Sequence, residues 1–140
     1  MTVGVLLITH PGVGSSMLHM ATRIIGNSTL PVKCLEVPPD AALEPVCERA
    51  RSMIKVLNRG AGVLVLTDIY GATPHNIARE VACGATGQTV LAGLNLPMLV
   101  RVFNYPNDDL DTLLSKAAEG GTRGIMSCPV KSVAANDAEQ

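Results

Sequence analysis

The sequence predicts an α/β fold: a doubly wound, mainly parallel sheet in the order 2-1-3-4 with helices on both faces. Apolar runs of strand length alternate along the chain with longer segments whose apolar residues recur at helical spacing. The runs at 3–8 and 62–67 are continuous in Val, Leu and Ile, as expected for strands covered on both faces. Right-handed crossovers would bring the carboxyl ends of these two strands side by side at one edge of the sheet.

Strands and helices are predicted in alternation over most of the chain. In order, the predicted elements are a strand at 3–8, a helix capped by Ser15 or Ser16 and ending at Ile25, a strand at 31–37, a helix at 41–58, a strand at 62–67, a helix at 73–82, a strand at 88–93, helical structure at 97–119 and an extended piece at 124–130.

Turn and capping residues delimit the elements of the first half. The Pro-Gly-Val-Gly turn at 11–14 ends the first strand, and the serines at 15–16 are residue types that cap the start of a helix. Gly-Asn at 26–27 ends that helix. Pro-Pro-Asp at 38–40 separates the second strand from the next helix, whose apolar residues share one face and which ends before Gly60.

Similar signals delimit the second half. Thr-Pro at 73–74 supplies a cap and a first-turn proline for the third helix, and the run at 88–93 is predicted as the fourth strand. Asn-Tyr-Pro-Asn at 104–107 breaks the helical pattern that follows. We expect an extended piece at 124–130, and a flexible tail at 131–140 because these residues are small and polar.

Composition indicates a single domain, predicted at 1–130. The 140 residues are 47% hydrophobic and only 16% charged, so part of the surface is expected to be buried against a partner, most simply a second copy. A net charge of -1 and 2% aromatic residues disfavour nucleic-acid binding. Because no apolar run reaches the ~18 residues of a membrane span and no cationic leader is present, we expect a cytoplasmic protein without membrane insertion.

The four cysteines are predicted to be reduced thiols that are buried or partly buried. Cys34, Cys47, Cys83 and Cys128 show no CxxC spacing, and only three histidines are present to join them as metal ligands. We therefore expect neither a metal nor a cofactor.

The strongest functional signal is a histidine and an aspartate at the ends of the two buried strands. His10 follows the first strand and Asp68 follows the third, and in a 2-1-3-4 sheet these ends meet where the winding direction reverses. A carboxylate that holds the Nδ1 proton of an imidazole leaves Nε2 as the nucleophile and stabilises the cation formed on attack. The sequence predicts this division of roles between the two residues.

The start of the third helix is predicted to receive an anionic group. Backbone N–H groups and the helix dipole favour an anion at Thr73, and Gly71 and Ala72 precede it in a loop that can approach a ligand closely. Pro11 has no N–H to donate, so donors from the first loop are expected from Gly12 onward.

Single residues of the pair and its surroundings have other interpretations. A histidine is often an ordinary surface residue, an aspartate after a strand often only caps a turn, and His19 and His75 on predicted helices receive no function. A dinucleotide site at the glycine pair of 12–14, with Glu36 as the ribose-binding acid, is disfavoured because Met17 stands in place of the third glycine. The nucleotide alternative would show as thermal stabilisation by nucleotide.

Three motifs in register resemble the IIA component of the mannose-family sugar phosphotransferase system. They are Thr9-His10, the segment from Thr67 to Asn76, and the segment from Ala92 to Leu99. The resemblance extends over about residues 3–120. It implies that His10 is the phosphorylated residue, that Asp68 orients it, and that Thr73 is a small hydroxyl residue near the phosphoryl group.

The resemblance also implies partners. A phosphoryl group would come from the phosphocarrier HPr, or a close paralogue, and pass to a IIB component. A homodimer is implied in which the C-terminal strand, near 124–128, pairs with or is exchanged into the partner's sheet. The candidate partner-surface residues are Gly12, Tyr70, Asn95 and Met98.

Two residues depart from the family pattern. Pro11 stands where glycine is common, which bears on the mobility and N–H donors of the loop, and Tyr70 stands where some members have tryptophan. Many relatives continue into a fused IIB domain, whereas this chain stops. We therefore expect a separate carrier in a transporter or, alternatively, a stand-alone regulatory phospho-switch. The phosphotransfer subunit of dihydroxyacetone kinase fits less well, because its corresponding loop lacks the Gly-Ala-Thr-Pro pattern.

Overall fold

The computed structural model describes residues 1–131, which form one parallel sheet with helices on both sides. The strands are β1 (Gly4–Thr9), β2 (Val32–Glu36), β3 (Val63–Thr67) and β4 (Gln88–Ala92). The helices are α1 (Val13–Ile25), α2 (Leu43–Leu57), α3 (Thr73–Ala82), α4 (Leu96–Phe103) and α5 (Leu110–Arg123). The strands lie in the order β2-β1-β3-β4 and all pair in parallel, which confirms the predicted fold class and strand order.

The two central strands are buried on both faces and end level with each other. Every residue of β1 and β3 is buried. In the register between them, Gly4 pairs with Val63 and Ile8 pairs with Thr67, so the chain leaves both strands at the same edge of the sheet. This register places the segments that follow β1 and β3 next to each other.

The side chains of the sheet alternate between two cores. Helices α1, α4 and α5 cover one core, and α2 and α3 cover the other. In the central strands, the buried residues of the first core are Val5, Leu7, Leu64 and Leu66, and those of the second are Leu6, Ile8, Val63 and Val65. This alternation follows from the two-residue period of a strand and explains why the central strands are continuously apolar.

Helix α1 begins earlier than predicted, and neither serine caps it. The residue before the first turn is Gly12, whose φ of 82° is in the left-handed region that glycine adopts readily. The buried hydroxyl of Thr9 accepts the N–H of Gly14 at 2.9 Å. A threonine at the end of the preceding strand thus replaces the predicted serine cap.

The C-terminal part differs from the prediction in two ways. Helix α5 continues past the predicted end at 119 because its glycines allow close packing on α4: a Cβ at Gly120 would lie 2.6 Å from the Cβ of Arg101. Residues 125–130 of the described chain form no strand. An isolated extended segment cannot pair its own backbone N–H and C=O groups, so a strand here requires a neighbouring strand. Pairing or exchange with a second copy stays a prediction.

The cysteine prediction is correct for two residues and wrong for two. Cys47 is buried and Cys34 is partly buried, and burial together with the charge of Glu36 raises the pKa of the Cys34 thiol to about 11. Cys83 and Cys128 are exposed, since they lie beyond the end of α3 and of α5. The predicted tail lies outside the described residues from 132 onward. In the described part of the chain, no helix is both long and apolar enough to cross a membrane.

Candidate functional site

The histidine after β1 and the aspartate after β3 are in direct contact. Asp68 Oδ2 accepts hydrogen bonds from His10 twice, from the backbone N–H at 3.0 Å and from ring Nδ1 at 2.8 Å. The predicted convergence of these two side chains is therefore confirmed. Their chemical roles stay predictions.

The electrostatics of the pair select one tautomer of the imidazole. Burial raises the pKa of the Asp68 carboxyl, but hydrogen bonds from the backbone and ring of His10, with the charge of that ring, outweigh burial and hold the pKa below its ordinary value. The carboxyl group is therefore ionised at neutral pH and only accepts hydrogen bonds. The neutral ring of His10 must then carry its proton on Nδ1, which leaves the lone pair on Nε2.

Exposure differs strongly between the two side chains. The Asp68 side chain is 8% exposed, whereas the His10 side chain is 42% exposed. The buried carboxylate is thus shielded from solvent while the ring it orients can be reached from outside. This arrangement suits a nucleophile that must meet the reactive group of another protein.

The backbone of His10 is held as firmly as its ring. Its carbonyl oxygen accepts the hydroxyl of Thr9 at 2.9 Å and the N–H of Val13 at 3.3 Å. The same hydroxyl accepts the N–H of Gly14, so Thr9 joins the histidine to the start of α1. Pro11, one of the two residues that depart from the family pattern, lies within this turn and has no backbone N–H to donate.

Two backbone N–H groups of the loop from Asp68 to α3 have partners inside the protein. The N–H of Gly71 donates to Nδ1 of His75 at 2.9 Å, and the N–H of Ala72 donates to the carbonyl of Ile69 at 3.3 Å. These two N–H groups are therefore used within the protein, and the phosphate-binding role of Gly71 and Ala72 stays a prediction.

Thr73, the third predicted phosphate-binding residue, lies where an anion from solvent can reach it. It is exposed at the first position of α3, where helical geometry leaves backbone N–H groups without partners in the helix. No side chain caps this start, and the first turn contains no acidic residue. The helix dipole and the hydroxyl of Thr73 thus face solvent without a competing anion from this turn.

The start of α1, in contrast to that of α3, is occupied by a carboxylate of the chain itself. Oε2 of Glu36 accepts the hydroxyl of Ser15 at 2.8 Å and its N–H at 3.1 Å. These two hydrogen bonds from Ser15 hold the pKa of Glu36 below its ordinary value. The chain's own carboxylate therefore occupies the position where a nucleotide phosphate would bind, and the acid considered for a ribose has this structural role instead.

His75 is the residue that sequence reasoning missed. It was assigned no function, as an ordinary surface residue, but only 4% of it is exposed, and its ring lies 4.4 Å from the ring of Tyr70 between centroids. Burial, and to a lesser extent the charge of Arg79, lowers the pKa of His75. The sequence signal for this contact is the spacing of four residues between Gly71 and His75. At this spacing, a side chain in the first turn of a helix can reach back to the loop that precedes the helix. His19, by contrast, is exposed as expected.

The candidate partner-surface residues divide into two groups. Gly12 is exposed, and Tyr70 is 75% exposed. Met98 is only 4% exposed because it packs in the core beneath α4 and α5, so its assignment to a partner surface is wrong. Asn95 is half-buried and caps α4: its Oδ1 accepts the N–H of Met98 at 2.9 Å, and its Nδ2 donates to the carbonyl of Gly121 at 3.0 Å.

Fold and site together define a class of protein: a doubly wound α/β domain that presents a half-exposed histidine, oriented by a buried carboxylate, at its topological switch point. A family model described as "PTS system fructose IIA component" (EIIA-man) matches residues 4–117. The chain belongs to this family, the mannose-family IIA components of the sugar phosphotransferase system.

The chain is also similar to named components of the phosphotransferase system. The chain is 29% identical over 135 residues to the "PTS system mannose-specific EIIAB component" of Escherichia coli (strain K12), covering 95% of this chain but 42% of that protein. It is 29% identical over 82 residues to the "PTS system sorbose-specific EIIA component" of Lacticaseibacillus casei, covering 58% of this chain and 59% of that protein. The chain thus spans less than two thirds of these relatives.

Solved structures agree on the fold. The "Mannose/sorbose specific IIA subunit of phosphotransferase system" from Enterococcus faecalis superposes with a TM-score of 0.81 at 22% identity, covering 95% of this chain and 99% of that one. A PTS IIA protein associated with the fucose utilization operon of Streptococcus pneumoniae gives a TM-score of 0.78 at 21% identity, covering 89% and 91%.

Proposed function

We propose that this chain is a phosphoryl carrier that accepts a phosphoryl group on Nε2 of His10 and passes it on. The observation that carries the proposal is the 2.8 Å contact between Asp68 Oδ2 and His10 Nδ1, which leaves the nucleophilic lone pair on the other nitrogen of a half-exposed ring. Family membership supports the same general chemistry, since IIA components are phosphotransferase relay proteins.

The transfer is an in-line displacement between two imidazoles. Nε2 of His10 attacks the phosphorus of the phosphohistidine of an HPr-like donor, the new N–P bond forms as the donor's N–P bond breaks, and the donor ring leaves with the electron pair. Asp68 keeps the Nδ1 proton in place and balances the positive charge that develops on the ring. The same step in the opposite sense passes the phosphoryl group to a IIB component.

The start of α3 is proposed to stabilise the charge of the phosphoryl group in flight. Its dipole and the hydroxyl of Thr73 provide the attraction, and the first turn carries no acidic residue that would oppose it. The start of α1 is disfavoured for this role because the carboxylate of Glu36 occupies it. The proposal therefore assigns this attraction to the start of α3 and not to the start of α1.

Docking of partners is proposed at the apolar side chains beside the histidine. Ile69 is 59% exposed and Tyr70 is 75% exposed, and both follow Asp68 directly in the chain. Aromatic and aliphatic groups of this kind supply binding area at protein interfaces. The donor and the acceptor would use this surface in turn, in the cytoplasm, because both must bring a reactive group to the same nitrogen.

A homodimer is proposed at the open edge of the sheet. The edge strands are β2 and β4, and of these β4 has no fully buried residue. Beyond α5, Ile125, Met126 and Val130 are strongly exposed, which supplies apolar side chains for a segment that pairs with β4 of a second copy. Sedimentation equilibrium at a protein concentration of about 100 µM tests this proposal. We expect a dimer, and a monomer would contradict the proposal.

The carrier proposal is tested in a relay reconstituted from phosphoenolpyruvate and its phosphocarriers. Labelled phosphoryl group should appear on the chain, and His10→Ala should abolish the labelling. His19→Ala is the matched control, because it removes another exposed histidine, on α1, that has no contact with Asp68, and it should label like the unaltered chain. Labelling that persists in His10→Ala would contradict the assignment.

A regulatory phospho-switch is the second candidate, and the exposed pair of Ile69 and Tyr70 beside the phosphorylation site supports it equally well. Pull-down with and without phosphoryl donor separates the two functions. Rapid discharge to a IIB component indicates a carrier. A partner that is retained in only one phosphorylation state indicates a switch.

A further inference from the structure

His75, in the first turn of α3, contacts the loop that joins β3 to this helix. Its ring nitrogen Nδ1 accepts the N–H of Gly71 at 2.9 Å. Because a backbone N–H can only donate, Nδ1 must offer its lone pair, and the ring must be neutral with its proton on Nε2. A buried histidine of this kind has one defined tautomer and one defined partner in the loop.

The surroundings favour that neutral ring. His75 is buried in α3, and burial lowers the pKa of its imidazole. The positive charge of Arg79, one turn later on the same helix, acts in the same direction. The form that can accept the hydrogen bond is therefore the form that the surroundings stabilise.

The loop is attached to α3 through both peptide groups of Gly71. While its N–H donates to His75, its carbonyl accepts Nδ2 of Asn76 at 3.4 Å. Its φ of 87° is in the left-handed region, and the N–H of Ala72 closes the turn on the carbonyl of Ile69 at 3.3 Å. The shape of the loop thus depends on two side chains of the first turn of α3.

The ring of His75 also supports the exposed ring of Tyr70. The two ring centroids lie 4.4 Å apart with the planes inclined at 38°. A tilted contact at this separation is favourable between aromatic rings. Since most of the Tyr70 side chain is exposed, this contact holds a proposed docking residue against the body of the protein.

We propose that His75 is a positioning residue for phosphoryl transfer, acting through Gly71 and Tyr70 on the loop that begins at Asp68. The inference rests on the proposed carrier function. His75 does not touch the reacting atoms. The carboxylate of Asp68 is anchored to the same loop, because its Oδ1 accepts the next N–H at 3.1 Å, so a displaced loop moves the group that orients His10.

Two substitutions separate the hydrogen bond from the ring. His75→Phe keeps a ring beside Tyr70 but removes the acceptor, and His75→Asn places an amide Oδ1 about where Nδ1 stands, which restores the acceptor without the ring. His19→Phe, on the exposed face of α1, is the matched control. The readouts are the single-turnover rate of phosphoryl transfer onto His10 and the hydrogen exchange of the Gly71 amide.

We expect His75→Phe to speed exchange of the Gly71 amide and to slow transfer by about three- to tenfold, as the loss of one hydrogen bond predicts. His75→Asn should restore the protection of the amide and recover most of the rate. An unchanged transfer rate in His75→Phe would overturn the proposal, whether or not the Gly71 amide exchanges faster. A His75→Asn variant that protects the amide yet transfers as slowly as His75→Phe would overturn it as well.

Failure of the carrier function gives a different result. If the unaltered chain takes up no phosphoryl group, the proposed function is wrong, and the positioning role falls with it. If the unaltered chain is labelled while both His75 variants match its rate, the positioning role alone is wrong.

Discussion

Replacing Asp68 with asparagine should slow nucleophilic attack by Nε2 of His10 while the sheet stays intact, because a neutral amide does not balance the positive charge that develops on the ring. Both carboxylate oxygens are in use: Oδ2 accepts the backbone N–H and ring Nδ1 of His10, and Oδ1 accepts the N–H of Ile69. An amide has only one acceptor oxygen, so its NH2 group must face an N–H donor on one side. An amide oxygen that stays on the side of His10 keeps both of its hydrogen bonds and loses the one from Ile69. An NH2 group on that side opposes the backbone N–H of His10 and turns the imidazole to the tautomer that carries its proton on Nε2.

The size of the effect follows from the bond that is lost. A hydrogen bond to a charged group contributes up to about 3 kcal/mol, and because each ~1.4 kcal/mol is a factor of ten in rate, we expect transfer to slow by about 100-fold. The effect on folding should be smaller than on transfer, because Asp68 lies after β3 and is not part of either core.

Two assays check this prediction. Rapid-quench single-turnover transfer from a labelled phosphocarrier measures the rate on His10, and nitrogen-15 NMR of the ring reports which nitrogen carries the proton. Asp111→Asn, an exposed substitution in the first turn of α5, is the matched control and should transfer like the unaltered chain. A transfer rate for Asp68→Asn that lies within about threefold of the rate for the unaltered chain would refute the reasoning.

Three further predictions concern stability. Thr9→Val should lower the free energy of unfolding by about 1–3 kcal/mol, because its buried hydroxyl both donates and accepts, whereas Thr67→Val should be neutral or stabilising, because that equally buried hydroxyl has no partner among the described residues. Gly14→Ala should cost about 1–3 kcal/mol, since its Cβ would lie 2.6 Å from Sγ of Cys34, and Cys34→Ala in the same chain should recover part of this loss. The folded-state pKa of Asp68 lies below its ordinary value of 3.8, so its contribution to stability is present above that value and is lost as the pH falls through the folded-state pKa.

Urea unfolding measures all three. Equal losses for the two threonine variants would contradict the assigned hydroxyl partners. A Gly14→Ala loss that Cys34→Ala leaves unchanged would contradict the proposed clash. For the carboxylate, the difference in stability between the unaltered chain and Asp68→Asn should shrink on acidification below about pH 4, and a difference that grows there would contradict the sign of the pKa shift.

The sequence was sufficient for the sheet and for the meeting of His10 with Asp68. Continuous apolar runs identify strands buried on both faces, and the right-handed crossover leaves few orders for such strands. Once β1 and β3 are neighbours in parallel, the residues that follow them must share one edge. The pair was therefore predictable from two local patterns and one rule of topology.

Other features depended on contacts that no local pattern records. The start of α1 is set by Thr9 and the carboxylate of Glu36, which comes from a different strand. Met98 has a position in α4 compatible with exposure, yet α5 covers it. His75 reads as a polar residue on a helix, but the turn at Gly71 folds over its ring.

The sequence by itself determined which segments become strands and helices, because hydrophobic periodicity and turn residues act within a few positions of the chain. It also determined that an imidazole and a carboxylate share an edge of the sheet. Only the tertiary structure decided which hydrogen-bond donors near that edge are already satisfied. The occupied start of α1, the open start of α3 and the buried acceptor beneath the loop all arise from side chains brought together by packing, whose partners are set by register and close contact rather than by sequence neighbourhood.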